Sequence, residues 1–571
     1  MTDKNKSNDS QYIQGRRNFL KGSVAVGIAG MATATGAAAA SDSAPQSNHK
    51  AGTETVPDWL KAPDPIPDSQ ISETITTDVV IIGSALSGLS AARAALESGA
   101  KVVVIEKAPD IVYRSSDVGV INSSIAKKLG NVLEPAEVVN AIQDYYGCRT
   151  NTDLWRHWAE NGGAALDWWL SLVPNYKLVD ESFDIPADTK DVYVRLPHWP
   201  HPKPFNLATE HYKTFSTVHQ ILPDMGVALR AVQSKCKDLG CDFHYSTWAR
   251  QLVRPNNEGR VTGVITQNKD GKYVKFVATK GVVLCTGDYS GDRRMLERFC
   301  PQVADLYPFT IWFNKDDKGV NTNTGDGQKM GMWIGAQLER GPHAPVSHCV
   351  GGPLGDDAFL LVNVRGKRFM NEDNDGQRWT NAIERQPKMQ AFQIFDSKWP
   401  DQLQYQGISH GMVNSVRKGS STFANGGWTS VTTPENVMAK AKKADTLEDL
   451  AKQLGLPVDS FVATVKRYNE LAKSGKDTDY YKRSDRLFPI ETGPFYGGPT
   501  GQALLVVMGG LVVDGKCHVC DKNFETIPGL YAAGNAMGGR FATDYAVTAA
   551  GVSHGTALTF GRLAGEEAAK G

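Results

Sequence analysis

The stretch Gly83-Ser84-Ala85-Leu86-Ser87-Gly88, with Glu106 at the end of the next apolar segment, brings together the residue types needed to hold a pyrophosphate and a ribose. Small residues let a chain turn tightly with its amides exposed, and a helix that starts at the turn adds its dipole. A carboxylate beyond the second strand then accepts ribose hydroxyls. Lys107 follows that carboxylate and joins the candidate set. Ala85 stands where the usual G-x-G-x-x-G has its second glycine, so a methyl group narrows the approach to the phosphates. An acid rather than a base at position 106 argues against a ribose phosphate and leaves both NAD and FAD open.

These residues need a strand, a turn, a helix and a second strand to position them. Asp78 to Ile82 is the buried apolar strand, Leu89 to Leu96 continues a helix that Gly99 stops, and Val102 to Ile105 is the second strand. That order is the unit of an α/β fold with a parallel sheet. A chain of 571 residues, 41% of them hydrophobic, exceeds one core and is expected to form more than one domain. Its 62 basic and 62 acidic residues cancel, with no basic stripe, so the expected partner is a small organic molecule and not nucleic acid.

The N-terminus carries an address. Gly15-Arg16-Arg17-Asn18-Phe19-Leu20-Lys21 precedes a mildly apolar run from Gly22 to Ala40 that ends in Ala38 and Ala40. We read residues 1–40 as a twin-arginine signal peptide and 41–75 as a linker rich in Ser, Pro, Asp and Ala. Such export carries folded proteins, often with a cofactor in place. It puts the mature protein in the periplasm or at the outer face of the cytoplasmic membrane, where NADH is not available, and this favours a flavin. No later stretch is long and apolar enough to span a bilayer, so an integral membrane protein is not expected.

Further along, Glu134 to Leu172 has helical spacing, with Trp155, Trp158, Trp168 and Trp169 read as core. His198 and His201 lie among prolines and read as loop residues, so no metal site is expected. Met225 to Leu239 reads as a helix. Four short strands follow, Asp242–Thr247, Gln251–Pro255, Val261–Gln267 and Val274–Ala278, and then a buried strand running through Gly281 to Leu284 into Cys285, Thr286 and Gly287.

That last strand resembles the corresponding one of the fumarate reductase and 3-ketosteroid dehydrogenase flavoproteins. Further matches follow in the order of that family. They are Asn323 to Gly327 with Gly335 and Ala336; Val362, Asn363, Gly366, Lys367, Arg368, Phe369, Asn371 and Glu372; Tyr468 and Asn469; Gly475, Asp477 and Tyr481; Gly493 to Tyr496; Met508, Gly509 and Gly510; and Pro528 to Asn535. The resemblance implies a non-covalent FAD and an α/β fold, a Rossmann-like FAD-binding domain (76–340 and 501–571) interrupted by an α+β capping domain (341–500). It also implies hydride exchange with a carbon-carbon double bond beside an activating group.

By the same resemblance, Gly83, Ser84, Ala85, Ser87, Gly88, Glu106 and Lys107 hold the ADP half, and Ala249 offers backbone to the adenine. Thr286, Gly287, Asp326 and Gly327 line the cofactor, Gly534 and Asn535 lie near the ribityl chain, and Ser115 and Ser116 run past the isoalloxazine. Gly551 and Val552, at a helix start, place amides on the pyrimidine edge. The haem motif of the haem-bearing members is missing, because Cys517-His518-Val519-Cys520 is followed by Asp521. Electrons are therefore expected from a separate cytochrome or quinol-linked donor. Cys517 and Cys520 read either as a disulfide or as an inert hairpin pair.

The sequence departs from the dicarboxylate reductases where they hold their substrate. The arginine that delivers their proton falls on Gly376, with Arg378 two residues on; a carboxylate-binding histidine falls at or beside Val506; a carboxylate-binding arginine becomes Tyr545. Val and Tyr cannot offset the desolvation of two carboxylates. Tyr545 is instead similar to the tyrosine with which the ketosteroid dehydrogenases polarise a carbonyl. We therefore take Tyr545 as the electrophile, Arg378 as the first candidate proton donor and Arg540 as a second cation of the site. The expected activity is reduction of an enone, aryl enoate or steroid-like acceptor, as a terminal step of anaerobic respiration. The reverse dehydrogenation, a fumarate-like dicarboxylate reductase and a non-catalytic flavin carrier are the alternatives.

Overall fold

The computed structural model describes residues 57–180, 183, 185–186, 189–197, 199, 201, 205–306, 314–316, 319–347, 349–350, 352–405 and 434–571. The export signal, the first part of the linker and His198 lie outside the described residues. Residues 57–64 form a separate piece with a 3-10 turn at Asp58–Leu60, and Pro65–Gly571 build the fold.

A parallel sheet carries the site. Its strands are β1 (Ile71–Ile82), β2 (Val102–Ile105), β3 (Asp242–His244), β4 (Tyr273–Leu284) and β5 (Thr526–Ala532), in the order β5-β4-β1-β2-β3. The register aligns their carboxyl ends, with Ile82 opposite Leu284 and Ile105, Leu284 opposite Ala532, and Ile105 opposite His244. β1 thus has β2 on one side and β4 on the other, and the crevice between the β1 and β4 ends is where such sheets bind ligands. The strand cores are near-continuous Val and Ile because both faces are covered.

Two elements differ from their sequence reading. β1 begins at Ile71, inside the expected linker, because residues 71–77 pair with the first half of β4. The runs Val274–Ala278 and Gly281–Leu284 are one strand, with Gly281 kept small because a Cβ there would lie 2.8 Å from the Tyr531 ring.

The helix α1 (Leu86–Glu97) is buried almost throughout, and the last helix, α2 (Val552–Lys570), lies against it. Their backbones touch. A Cβ at Gly561 would stand 2.4 Å from the Ser87 carbonyl oxygen, and one at Gly565 2.2 Å from that of Ala91. Trp155, Trp158 and Trp169 are buried as expected, whereas Trp168 is half-exposed, stacked under Arg93 at 4.1 Å and donating Nε1 to Glu97.

A second sheet, antiparallel, is formed by Leu360–Asn363, Ala391–Asp396 and Phe495–Gln502, backed by the helix Val458–Ser474 through Phe461, Val465, Tyr468 and Leu471. Its charged motif is structural. Glu372 is fully buried, bonded by Arg368 at 2.9 Å and paired with Lys482 at 3.4 Å, while Arg368 also reaches Asp477 at 2.7 Å. Buried charges persist only when paired in this way.

Candidate functional site

The crevice holds two adjoining cavities, a larger and a smaller, which share Ala85, Val112, Cys285, Gly287, Asn314 and Asn323 in their walls. Gly83, Ala85, Glu106, Lys107, Ala249, Thr286, Gly287 and Asp326 line the smaller one. Ala85, Ser87, Ser115, Gly287, Gly534, Asn535, Gly551 and Tyr545 line the larger. Ser84, Gly88, Ser116, Gly327 and Val552, expected in the site, line neither cavity, although each is next in sequence to a residue that does.

At the smaller cavity the turn is tight. Gly83, at φ +110°, faces the Cys285 carbonyl, which a Cβ would meet at 2.2 Å, and a Cβ on Gly88 would meet the Gly83 carbonyl oxygen at 1.9 Å. Ala85 is the N-cap of α1 in ordinary extended backbone (φ −79°, ψ −170°), so its methyl group is accommodated where a second glycine was expected. The helix accordingly starts at Leu86, earlier than the apolar spacing indicates, and Leu86 and Ser87 of its first turn line the adjoining larger cavity. Glu106 is held by the Ser84 amide at 2.8 Å, the Ser84 hydroxyl at 3.1 Å and the Ala108 amide at 2.8 Å. Lys107 bonds the Thr322 carbonyl and pairs with Asp326 at 3.0 Å. Burial pushes the Asp326 carboxyl up, but Lys107 and the Thr324 hydroxyl outweigh it and keep the group below its usual range. Ala249, in the cavity wall, sits at a register break in its strand.

The larger cavity ends at the start of α2. Gly551, at φ +71°, is the N-cap, and the strand Asp117–Gly119 runs beneath it. Tyr545 is buried, and its hydroxyl accepts the Ser553 amide at 3.3 Å. Burial raises its pKa, so the phenol keeps its proton. Val346, Leu505, Val506 and Met508 make the apolar wall.

Sequence reasoning missed Arg114, Asp117 and His554, which also line this cavity. Burial raises the Asp117 carboxyl to about 6, against bonds from Gln220 Nε2 at 3.0 Å and the Ser115 hydroxyl. No motif marks these three. They come together only because the strand Asp117–Gly119 packs on α2.

Arg378 and Arg540 do not line either cavity, contrary to expectation. Arg378 is paired with Asp375 at 2.9 Å and lies between the Tyr145 and Tyr212 rings, 4.8 and 5.3 Å away. Arg540 is fully buried, donating to the Gly534 carbonyl at 2.6 Å and the Met537 carbonyl at 3.1 Å, so it braces the turn that presents Gly534 and Asn535. Burial lowers its pKa to about 10, partly countered by Glu339. His201 packs on Phe205 and Trp199. Cys517 and Cys520 are both free thiols.

The walls fit FAD. Thr286 Oγ1 and Arg114 Nη2 are buried donors without a hydrogen-bond partner among the described residues, each in a wall where a ligand would supply one. Two helix N-termini open on the crevice, and they would meet a bound FAD at its phosphates and at the ring edge where charge gathers on reduction. Denaturing the purified protein should release a yellow supernatant that runs as FAD on chromatography. Flavin that stays with the precipitated chain would show a covalent link.

Residues 78–552 match the family model described as an FAD binding domain. The chain is 25% identical over 520 residues to a vinyl phenol reductase of Lactiplantibacillus plantarum, covering 86% of this chain and 96% of that one. It is 26% identical over 511 residues to a fumarate reductase (cytochrome) of Shewanella frigidimarina, covering 87% and 77%. Among solved structures, 3-ketosteroid-Δ4-(5α)-dehydrogenase of Rhodococcus jostii RHA1 superposes with a TM-score of 0.67 at 22% identity, over 89% of this chain and 100% of that one, which shows a shared fold. With its dinucleotide crevice and a family match over most of its length, the chain belongs to the FAD binding domain family and is an FAD-dependent oxidoreductase.

Proposed function

We propose that this protein is an extracytoplasmic reductase that saturates a conjugated carbon-carbon double bond of a bulky, largely apolar acceptor, an enone, aryl enoate or steroid-like molecule, with electrons from a separate cytochrome or quinol-linked donor. The observation that carries this reading is the wall facing Tyr545. It is Val346, Leu505, Val506 and Met508, while Arg378 and Arg540 are held away from it by their own partners. Among the described residues Arg114, 3.9 Å from Asp288, is the one guanidinium in the cavity wall, so two substrate carboxylates would be stripped of water there without a pair of arginines to receive them. The relatives named for reducing vinyl phenol and fumarate support double-bond reduction as the class of reaction.

Bound in the crevice, FAD supplies two-electron hydride exchange. The protein supplies the rest of the site. Tyr545 donates a hydrogen bond to the acceptor's carbonyl or phenolic oxygen as negative charge grows there, and the apolar wall excludes water from the conjugated chain. Asp117, with its carboxyl near 6, is the acid in the cavity wall that changes protonation close to neutral pH.

Purified holoprotein with reduced methyl viologen should consume cinnamate-like, vinyl phenol or enone acceptors and leave fumarate nearly untouched. Fumarate turnover as fast as that of any enone tested would overturn the reading. The export proposal rests on Arg16 and Arg17 and the apolar run behind them. Changing both to Lys should hold the precursor in the cytoplasm, and unchanged export in a fractionation experiment would refute it.

A further inference from the structure

The strand Asp117–Gly119 and the first turn of α2 are locked together. The Gly119 amide donates to the Gly551 carbonyl at 2.8 Å, and a Cβ on Gly555 would lie 1.7 Å from the Gly119 carbonyl oxygen. His554 sits on this turn with Nδ1 2.8 Å from the Asp117 carbonyl oxygen. A carbonyl only accepts, so Nδ1 carries the ring proton. Burial, with Arg114 adding to it, lowers the imidazole pKa against the pull of that carbonyl, and the ring is neutral. Nε2 is therefore a lone-pair acceptor. No donor reaches it among the described residues, and the ring lines the larger cavity where α2 begins.

Beside this acceptor the helix start offers amides and positive potential. The wall thus presents an acceptor next to a helix start. The imide edge of an isoalloxazine is the complement, two carbonyl oxygens on either side of N3–H.

We propose that His554 Nε2 accepts the hydrogen bond of the flavin N3–H and thereby sets the register of the ring in the cavity. The adjacent residue, Ser553, holds the Tyr545 hydroxyl through its amide. One helical turn then fixes both the cofactor's edge and the group that polarises the acceptor, so the ring and the phenol keep one spacing. The inference rests on FAD as cofactor and not on the identity of the acceptor.

The test uses 3-methyl-FAD, which cannot donate from N3. The full chain, stripped of flavin, is titrated with FAD or 3-methyl-FAD and binding is read from flavin fluorescence. The wild type should bind FAD about ten-fold or more tightly than the methylated cofactor, the scale of one buried hydrogen bond lost. In His554→Ala the two should bind within about two-fold of each other, because the acceptor and the atoms a methyl would strike are both gone. His554→Gln, which keeps an acceptor oxygen, should recover part of the preference. Equal binding by the wild type, or a His554→Ala variant that discriminates as the wild type does, would overturn the proposal. An equal fall in affinity for both cofactors with the preference intact would also overturn it and assign the ring to packing.

Discussion

Tyr545→Phe should lower turnover of the preferred acceptor by about two to three orders of magnitude, with FAD content and the flavin spectrum unchanged. The substitution removes one oxygen from a buried wall and leaves the ring, which packs 5.4 Å from Phe541, in place. The lost hydrogen bond is one made to developing negative charge in a cavity that excludes water, and such donors are worth roughly 2 to 4 kcal/mol at the transition state. Because the phenol stays protonated, the effect should be nearly independent of pH across the neutral range, which separates a polarising donor from a titrating acid. The Ser553 amide loses its acceptor, so a small fall in melting temperature is also expected. Wild-type turnover by Tyr545→Phe would return the residue to the core and leave the polarising group elsewhere in the wall.

Gly88→Ala should empty the site of its cofactor. The new Cβ would stand 1.9 Å from the Gly83 carbonyl oxygen, a contact between two backbone segments with no flexible side chain to yield. Either the turn opens or α1 moves away from β1, and each displaces the amides that face the phosphates. Overpacking of this kind costs about 1–3 kcal/mol or more, and here the strain falls on the binding loop itself. The ratio of flavin to protein absorbance should fall below about a tenth of the wild-type value, with a lower melting temperature. A fully yellow Gly88→Ala protein would mean that the turn is softer than its packing indicates. A methyl group at position 85, only three residues earlier, is native, because the backbone there is extended and faces open cavity.

These two residues show how differently the parts of the site are encoded. The nucleotide crevice is a local property of the chain. Strand, turn, helix and carboxylate lie within thirty-odd residues, and their spacing and types follow from the geometry of a pyrophosphate against a helix start. The sequence alone was therefore enough to place Gly83, Gly88 and Glu106, and to argue for FAD over NAD from the family motifs downstream. The sequence also supplied the expectation that the charged ligands of a dicarboxylate are replaced, since Val506 and Tyr545 stand at known places in a pattern, and both line the larger cavity.

Tertiary structure alone decided which polar groups line the larger cavity. Arg378 and Arg540 have the right charge and the right place in the chain, but a guanidinium goes where its hydrogen bonds are best satisfied. Asp375 with two tyrosine rings holds the first, and the carbonyls of the 534–537 turn hold the second. Arg114, Asp117 and His554 carry no spacing signal, because they reach one cavity from segments more than four hundred residues apart through the packing of a three-residue strand on the last helix. Sequence periodicity records which face of an element is buried. It does not record which distant element lies on that face, and the wall of this cavity is made of such meetings.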